Sequence, residues 1–147
     1  MNDQDHMQQA LAEARAGYDE GGVPIGCVLV KDGAVVGAGH NRRVQKSSAI
    51  LHGEMDALEA TGRKAGAWYK DVTLYTTLSP CAMCSGAILL YGIPRVVIGE
   101  NASFMGEEEL LIARGVDVSV LDDTDCRQLM LDFMAEKPEL WNEDIGV

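Results

Sequence analysis

At 147 residues the chain is long enough to bury a sizeable core in one domain, and its 47% apolar content excludes wholesale disorder. Twelve basic residues against 23 acidic ones leave a formal net charge of -11, which opposes a grip on nucleic-acid phosphates and does not penalise a small neutral substrate. No apolar run approaches the roughly 20 residues that span a bilayer, and the polar, acidic start Met1-Asn2-Asp3-Gln4-Asp5 is neither a signal nor a transit peptide. The expected address is therefore the cytoplasm, with no nucleic-acid or membrane partner. Thiols stay reduced there, and a close cysteine pair is expected to bind metal or do chemistry rather than form a disulfide.

Neither repeats nor linkers divide the chain, so residues 1–147 read as a single domain. Met7, Leu11, Ala14 and Tyr18 fall on one stripe and predict a helix from Met7 to Tyr18, ended by Gly21-Gly22. Ile25 to Val30 is an apolar, β-branched run. Lys31-Asp32-Gly33 is a turn and Ala34 to Gly39 returns, giving a hairpin. Asn41 to Ser48 is polar and reads as a loop. A helix opens at His52, runs to Thr61 and closes at Gly62.

Val72 to Thr77 is the next strand, broken by Leu78-Ser79-Pro80. A helix starts near Cys81 and carries Ala82 to Tyr91, stopped by Gly92 and Pro94. Arg95 to Gly99 reads as a strand, Glu107 to Arg114 as a short helix and Val116 to Leu121 as a strand. Asp125 to Glu136 is a helix, and Pro138 to Asp144 a last helical turn or two. This order predicts an α/β fold: a five-stranded mixed sheet with helices on both faces.

Two short motifs carry the chemistry: His52-Gly53-Glu54, and Pro80-Cys81-Ala82-Met83-Cys84. Structural zinc takes four protein ligands; catalytic zinc takes three and keeps one position for water. Here His52, Cys81 and Cys84 make three, and Glu54 is a spare acid. Cys81 and Cys84 are three apart on one helical face. The helix N-terminus favours thiolate there, and Pro80 suits a helix start. From a regular helix Glu54 does not easily reach the same metal as His52, but it reaches a water activated by that metal and serves as general acid and base. Either motif alone is weak; both together, each at a predicted helix start, point to a catalytic zinc.

The other candidates read blandly. Cys27 and Cys126 are expected to be small buried hydrophobes. His40, in a Gly-His-Asn turn, is expected to pack, and His6 to be solvated near the terminus. Glu107-Glu108-Glu109 reads as a favourable acidic helix start, and Lys46-Ser47-Ser48 as a solvated loop.

With these motifs in place the chain resembles the cytidine deaminase superfamily, and most closely the fungal-type cytosine deaminases. The likeness runs from Val23 to Gly146. It includes Val23-Pro24-Ile25-Gly26, Gly39-His40-Asn41, Leu51-His52-Gly53-Glu54, Leu74 to Cys81, Tyr91-Gly92-Ile93-Pro94-Arg95, Gly99-Glu100-Asn101, Trp141 and Glu143-Asp144-Ile145-Gly146. The resemblance implies a three-layer α/β/α sandwich of the cytidine deaminase type, a homodimer, one zinc (Zn2+) per subunit, and hydrolytic removal of an exocyclic amine.

By the same resemblance Asn41 would hydrogen-bond the base, the Gly53 N–H would meet its carbonyl, and the Ser79 carbonyl would take the amino group. Phe104 and Trp141 would wall the pocket opposite Ile25, and Asp144 would accept from a ring N–H. Taken alone, Asp144 would read as part of a solvated turn, and Phe104 and Trp141 as core. A carboxylate at that ring nitrogen rewards a free base over a nucleoside, in which the sugar occupies the position. The implied reaction is cytosine plus water to uracil plus ammonia, with pyrimidine salvage as its natural setting.

Ala82 stands where fungal-type enzymes carry an acid, pointing away from the ligand face. The segment Ala102-Ser103-Phe104-Met105 also differs around its Phe, which leaves isocytosine, creatinine and guanine as alternative rings. tRNA adenosine deaminases resemble the zinc region too, but they usually carry Glu where this chain has Ser79 and end in basic helices. A non-enzymatic zinc module fits poorly with a spare Glu54 beside an incomplete ligand set.

Overall fold

The computed structural model describes all 147 residues. Helix α1 (Asp3–Asp19) leads into the hairpin β1 (Gly26–Lys31) and β2 (Ala34–His40). A one-turn helix α2 (Arg43–Lys46) precedes α3 (Gly53–Thr61). Then follow β3 (Val72–Leu78), α4 (Ala82–Tyr91), β4 (Arg95–Glu100), α5 (Glu108–Ala113), β5 (Asp117–Val120), α6 (Thr124–Glu136) and α7 (Pro138–Asp144). The sheet order is β2-β1-β3-β4-β5. β1 is antiparallel to both β2 and β3, while β3, β4 and β5 are parallel. The expected five-stranded mixed sheet is therefore present, and α4 and α5 form the crossovers that its parallel half requires.

Alternation along the strands builds two cores. Cys27, Leu29, Leu74, Val96 and Ile98 face Ala57 of α3, Ile88 of α4 and Leu111 of α5. Val28, Val30, Tyr75 and Val97 face Met7, Leu11 and Ala14 of α1 and Cys126 of α6. Each central strand is thus buried on both faces, which makes the molecule an α/β/α sandwich. A third cluster joins Val23, Ile25 and Leu78 at the sheet's end to Met130 and Phe133 of α6 and Trp141 of α7. Cys27 and Cys126 are buried, as expected.

Several local expectations are corrected. α1 starts at Asp3, not Met7, because Asn2 and Asp5 form a reciprocal cap: each side chain accepts from the other's backbone N–H at 2.9 Å. The segment 41–48 is not all loop. The Asn41 side-chain oxygen accepts the Arg43 N–H at 3.0 Å and starts α2, which Ser47 ends in the left-handed conformation at φ 49°. A 3₁₀ helix, Gly66–Asp71, was not foreseen. His6 is buried rather than solvated: its ring packs 5.0 Å from Tyr75 and its Nδ1 lies 2.9 Å from Gln9 Oε1.

His40 packs, as expected, and its anchorage matters for the site. Its ring nitrogens lie 2.9 Å from Glu13 and 2.8 Å from Glu20, both carried by α1 and its cap. Gly17 gives the ring room, since a Cβ there would sit 3.0 Å from His40 Cδ2. The His40 N–H donates to Asp56 of α3 at 3.1 Å, and Arg42 joins the same carboxylate at 2.8 Å. α1, β2 and α3 are tied together one residue before Asn41.

Candidate active site and metal centre

His52 is the N-cap of α3 and Cys81 the N-cap of α4, so both halves of the motif stand at helix starts. The Sγ atoms of Cys81 and Cys84 lie 3.4 and 3.7 Å from His52 Nδ1. The ligand atoms of these residues all fall within 4.8 Å of one another. The spacing can be tested against zinc. With Zn–S near 2.3 Å and Zn–N near 2.05 Å, a tetrahedral angle places N and S about 3.6 Å apart. The two observed distances bracket that value. A donor set of two sulfurs and one imidazole also selects zinc over hard cations. The residues fit the ion, with Nδ1 as the imidazole ligand.

The other ring nitrogen, Nε2, faces Asp144 Oδ2 at 3.5 Å, on the side where ligating histidines usually meet a carboxylate or carbonyl. Among the side chains themselves burial works against a charged imidazole, yet the Cys81 thiolate, Asp144 and Glu54 hold His52 up to about 9. The hydrogen bond between the cysteines pulls Cys81 down to about 4, while the same bond pushes Cys84 up. Glu54 is almost wholly buried at 3% exposure, and that burial raises its pKa. Asp144 is likewise raised by burial.

A small, tight pocket lies against the metal centre. Ile25, His52, Glu54, Ser79, Cys81, Phe104, Trp141 and Asp144 line it, joined by Leu78 and Ile145, which the sequence did not single out. Phe104 and Trp141 meet edge to face at 6.1 Å. The groove outside is more open and is bordered by Arg43, Ala49, Met83, Glu107 and Glu143.

Three sequence candidates stand behind this lining. Cys84 is buried in α4. Gly53 sits where a Cβ would come 2.9 Å from the Ile25 carbonyl oxygen, so only glycine lets α3 start this close to the β1 entry. As a first-turn residue it has an N–H with no intrahelical acceptor. Asn41 is fully buried; its amide donates to Asp144 Oδ1 at 2.7 Å, and its oxygen is taken by the Arg43 N–H. It reaches the pocket through Asp144.

The acidic run 107–109 starts α5, as expected, but its three glutamates are not alike. Glu107 and Glu109 are exposed, but Glu108 is buried and accepts the Ser79 hydroxyl at 2.6 Å. Leu111, buried three residues on, was the available signal that Glu108 faces inward. Ala82 is exposed and borders the outer groove beside Cys81 and Met83.

Residues 1–100 match the family described as the cytidine and deoxycytidylate deaminase zinc-binding region, and the chain belongs to that family. It is a zinc-dependent deaminase by fold, ligand set and family. It is 59% identical over 146 residues to a cytosine deaminase of Candida albicans, covering 99% of this chain and 97% of that one. It is 46% identical over 106 residues to a tRNA-specific adenosine deaminase of Streptococcus pyogenes, covering 71% of this chain and 67% of that one. A solved structure from a study of A-to-I editing by tRNA A34 deaminases superposes with a TM-score of 0.72 at 30% identity, over 85% of this chain and 99% of the other.

Proposed function

We propose that the protein converts free cytosine and water to uracil and ammonia, with residues 1–147 acting as one deaminase domain. The observation that carries the reading is a three-ligand metal cluster beside a small pocket that joins a buried Glu54 to a buried Asp144. The similarity to a cytosine deaminase over nearly the whole chain supports the choice of ring.

Zinc held by His52, Cys81 and Cys84 supplies Lewis acidity that makes water nucleophilic near neutral pH. Glu54 would carry both protons of the attacking water, the first to ring N3 and the second to the amine as the C4–N bond breaks, so that the oxygen stays on C4 and ammonia leaves. Ile25, Phe104 and Trp141 enclose the ring and keep bulk water out. The Ser79 carbonyl accepts from the amino group, the Gly53 N–H meets the ring carbonyl, and Asn41 acts on the base through the Asp144 carboxylate that it holds. Asp144 accepts the N1 hydrogen, which a nucleoside lacks. The net charge of -11 opposes a tRNA substrate, which would demand basic contacts to phosphate.

A homodimer belongs to the same reading. The groove where Met55, Leu58, Leu90 and Tyr91 meet Glu59, Arg63 and Lys64 is a mixed face with an apolar floor that a second copy would cover. Two unpaired buried thiols, Cys27 and Cys126, beside a thiolate metal centre suit the cytoplasm, and no helix is long and apolar enough to cross a membrane.

The test is ammonia release from cytosine, 5-methylcytosine, isocytosine, cytidine, guanine and creatinine. Cytosine should be turned over and cytidine should not. Glu54→Ala should keep its zinc and lose turnover. Faster release from another ring, or full activity in Glu54→Ala, would overturn the assignment.

A further inference from the structure

Segment 101–107 joins β4 to α5 and carries Phe104 over the pocket. It is fastened at both ends by buried carboxylates. Near its start, Glu100 Oε2 accepts the Ala102 and Ser103 N–H groups at 2.8 and 2.9 Å. Near its end, the Gly106 N–H donates to Ser79 Oγ at 2.9 Å, and Ser79 Oγ donates to Glu108 Oε2 at 2.6 Å. The Glu107 N–H donates to the Pro80 carbonyl at 3.0 Å, and a Cβ on Gly106 would run into that same oxygen. The loop lies directly on Ser79-Pro80, next to the ligand Cys81.

Glu108 is costly where it stands. It is 9% exposed, and its partners are a hydroxyl and, at 3.4 Å, the Asn101 amide rather than a cation. Burying a carboxylate on neutral donors is unfavourable unless its hydrogen bonds are strong. The Ser79 bond has the short length of a hydroxyl donating to a carboxylate.

We propose that Glu108 is a positioning residue: through the Ser79 hydroxyl it fixes the Phe104 wall and the Ser79 carbonyl as one rigid unit, so the ring's face and its amino group are located together. The proposal rests on the cytosine reading for its substrate, but the fastening itself can be measured without substrate.

The experiment uses a Trp68→Phe background, which leaves Trp141, the partner of Phe104, as the only indole. Zinc-loaded Glu108→Ala, Glu108→Gln, Ser79→Ala and the Ser79→Ala/Glu108→Ala double variant are compared for KM, kcat, melting temperature and acrylamide quenching of Trp141. Each alanine variant should raise KM for cytosine about tenfold, the scale of one hydrogen bond to a charged group. Their effects should not add in the double variant, and Trp141 should become more quenchable. Glu108→Gln keeps an acceptor and should recover most of both signals.

A fall in melting temperature with unchanged KM and quenching would overturn the proposal, as would additive single effects. If Glu108→Ala does not fold, Ser79→Ala and Glu108→Gln decide by the same two signals. If the parent releases no ammonia from cytosine, the functional reading fails, and the quenching comparison alone still tests the fastening.

Discussion

Asn41 and Asp144 stand 103 positions apart in the chain and share a buried hydrogen bond of 2.7 Å. Asn41 follows β2 and Asp144 ends α7, so the bond closes the pocket between the hairpin and the C-terminal helix. It also orients the carboxylate, leaving Oδ2 toward His52.

Asp144→Ala should therefore weaken substrate recognition. The N1 hydrogen of cytosine and the Asn41 amide would both lose an acceptor. An unpaired buried donor costs about 1–3 kcal/mol, so kcat/KM for cytosine should fall roughly 5- to 150-fold. Steady-state kinetics on zinc-loaded protein checks this; an unchanged kcat/KM would remove Asp144 from the binding role.

Metal removal should lower stability. His52 and the two cysteines bring α3 and α4 together, and an ion bound only to the folded state stabilises by about 4 kcal/mol at a thousandfold excess over Kd. Melting temperature should drop after chelation and return with zinc. His52→Ala should flatten that response, which calorimetry with and without zinc reads directly.

Gly39→Ala should impair both stability and turnover. A Cβ at Gly39 would come 2.6 Å from Asp56 Oδ2 and 2.7 Å from the Asp56 backbone carbon, forcing α3 off the sheet. Overpacking of this kind costs about 1–3 kcal/mol. Because α3 carries His52 and Glu54, kcat should fall along with the melting temperature. Loss of stability alone would show that α3 shifts without disturbing the centre.

The Asp3 cluster should set part of the acid limit. The Arg95 guanidinium, bonded at 2.8 and 2.6 Å, holds the Asp3 carboxyl down to about 2. The folded state binds that proton less readily than the unfolded chain. The stabilisation is therefore complete above the ordinary carboxylate range and disappears as pH falls through about 2. Both side chains are about a third exposed, and solvent screening limits the effect to about 1 kcal/mol. Tyr75, which donates to Asp3, is raised by burial to about 12. Its contribution is present below the ordinary tyrosine range and lost as pH climbs to about 12. Asp3→Asn should reduce stability at neutral pH and flatten the acid limb of a urea-denaturation series.

The metal centre was legible because it is local chemistry: an imidazole, two thiols three residues apart, and glycine and proline marking the helix starts around them. The strands were legible from their apolar runs. The buried role of Glu108 is marked only by the apolar Leu111 one turn on, because the glutamate's partner Ser79 is distant in sequence. The burial of His6 is hidden in the same way, since Tyr75 of β3, which packs on its ring, is remote in sequence. The partner of Asn41 could not be read from a single chain at all, because long-range pairing leaves no local periodicity.

The ligand residues and Glu54 all fall within residues 1–100, the span that matches the family, whereas Phe104, Trp141 and Asp144 come after it. The metal centre thus shares its stretch of chain with Ile25 and Ser79 of the pocket, while the aromatic wall and the buried acid of the pocket come from the stretch that follows. A lineage can remodel the later stretch to accept a different heterocycle while inheriting the hydrolytic centre intact, and grafts exchanged at Glu100 are the natural place to redirect selectivity.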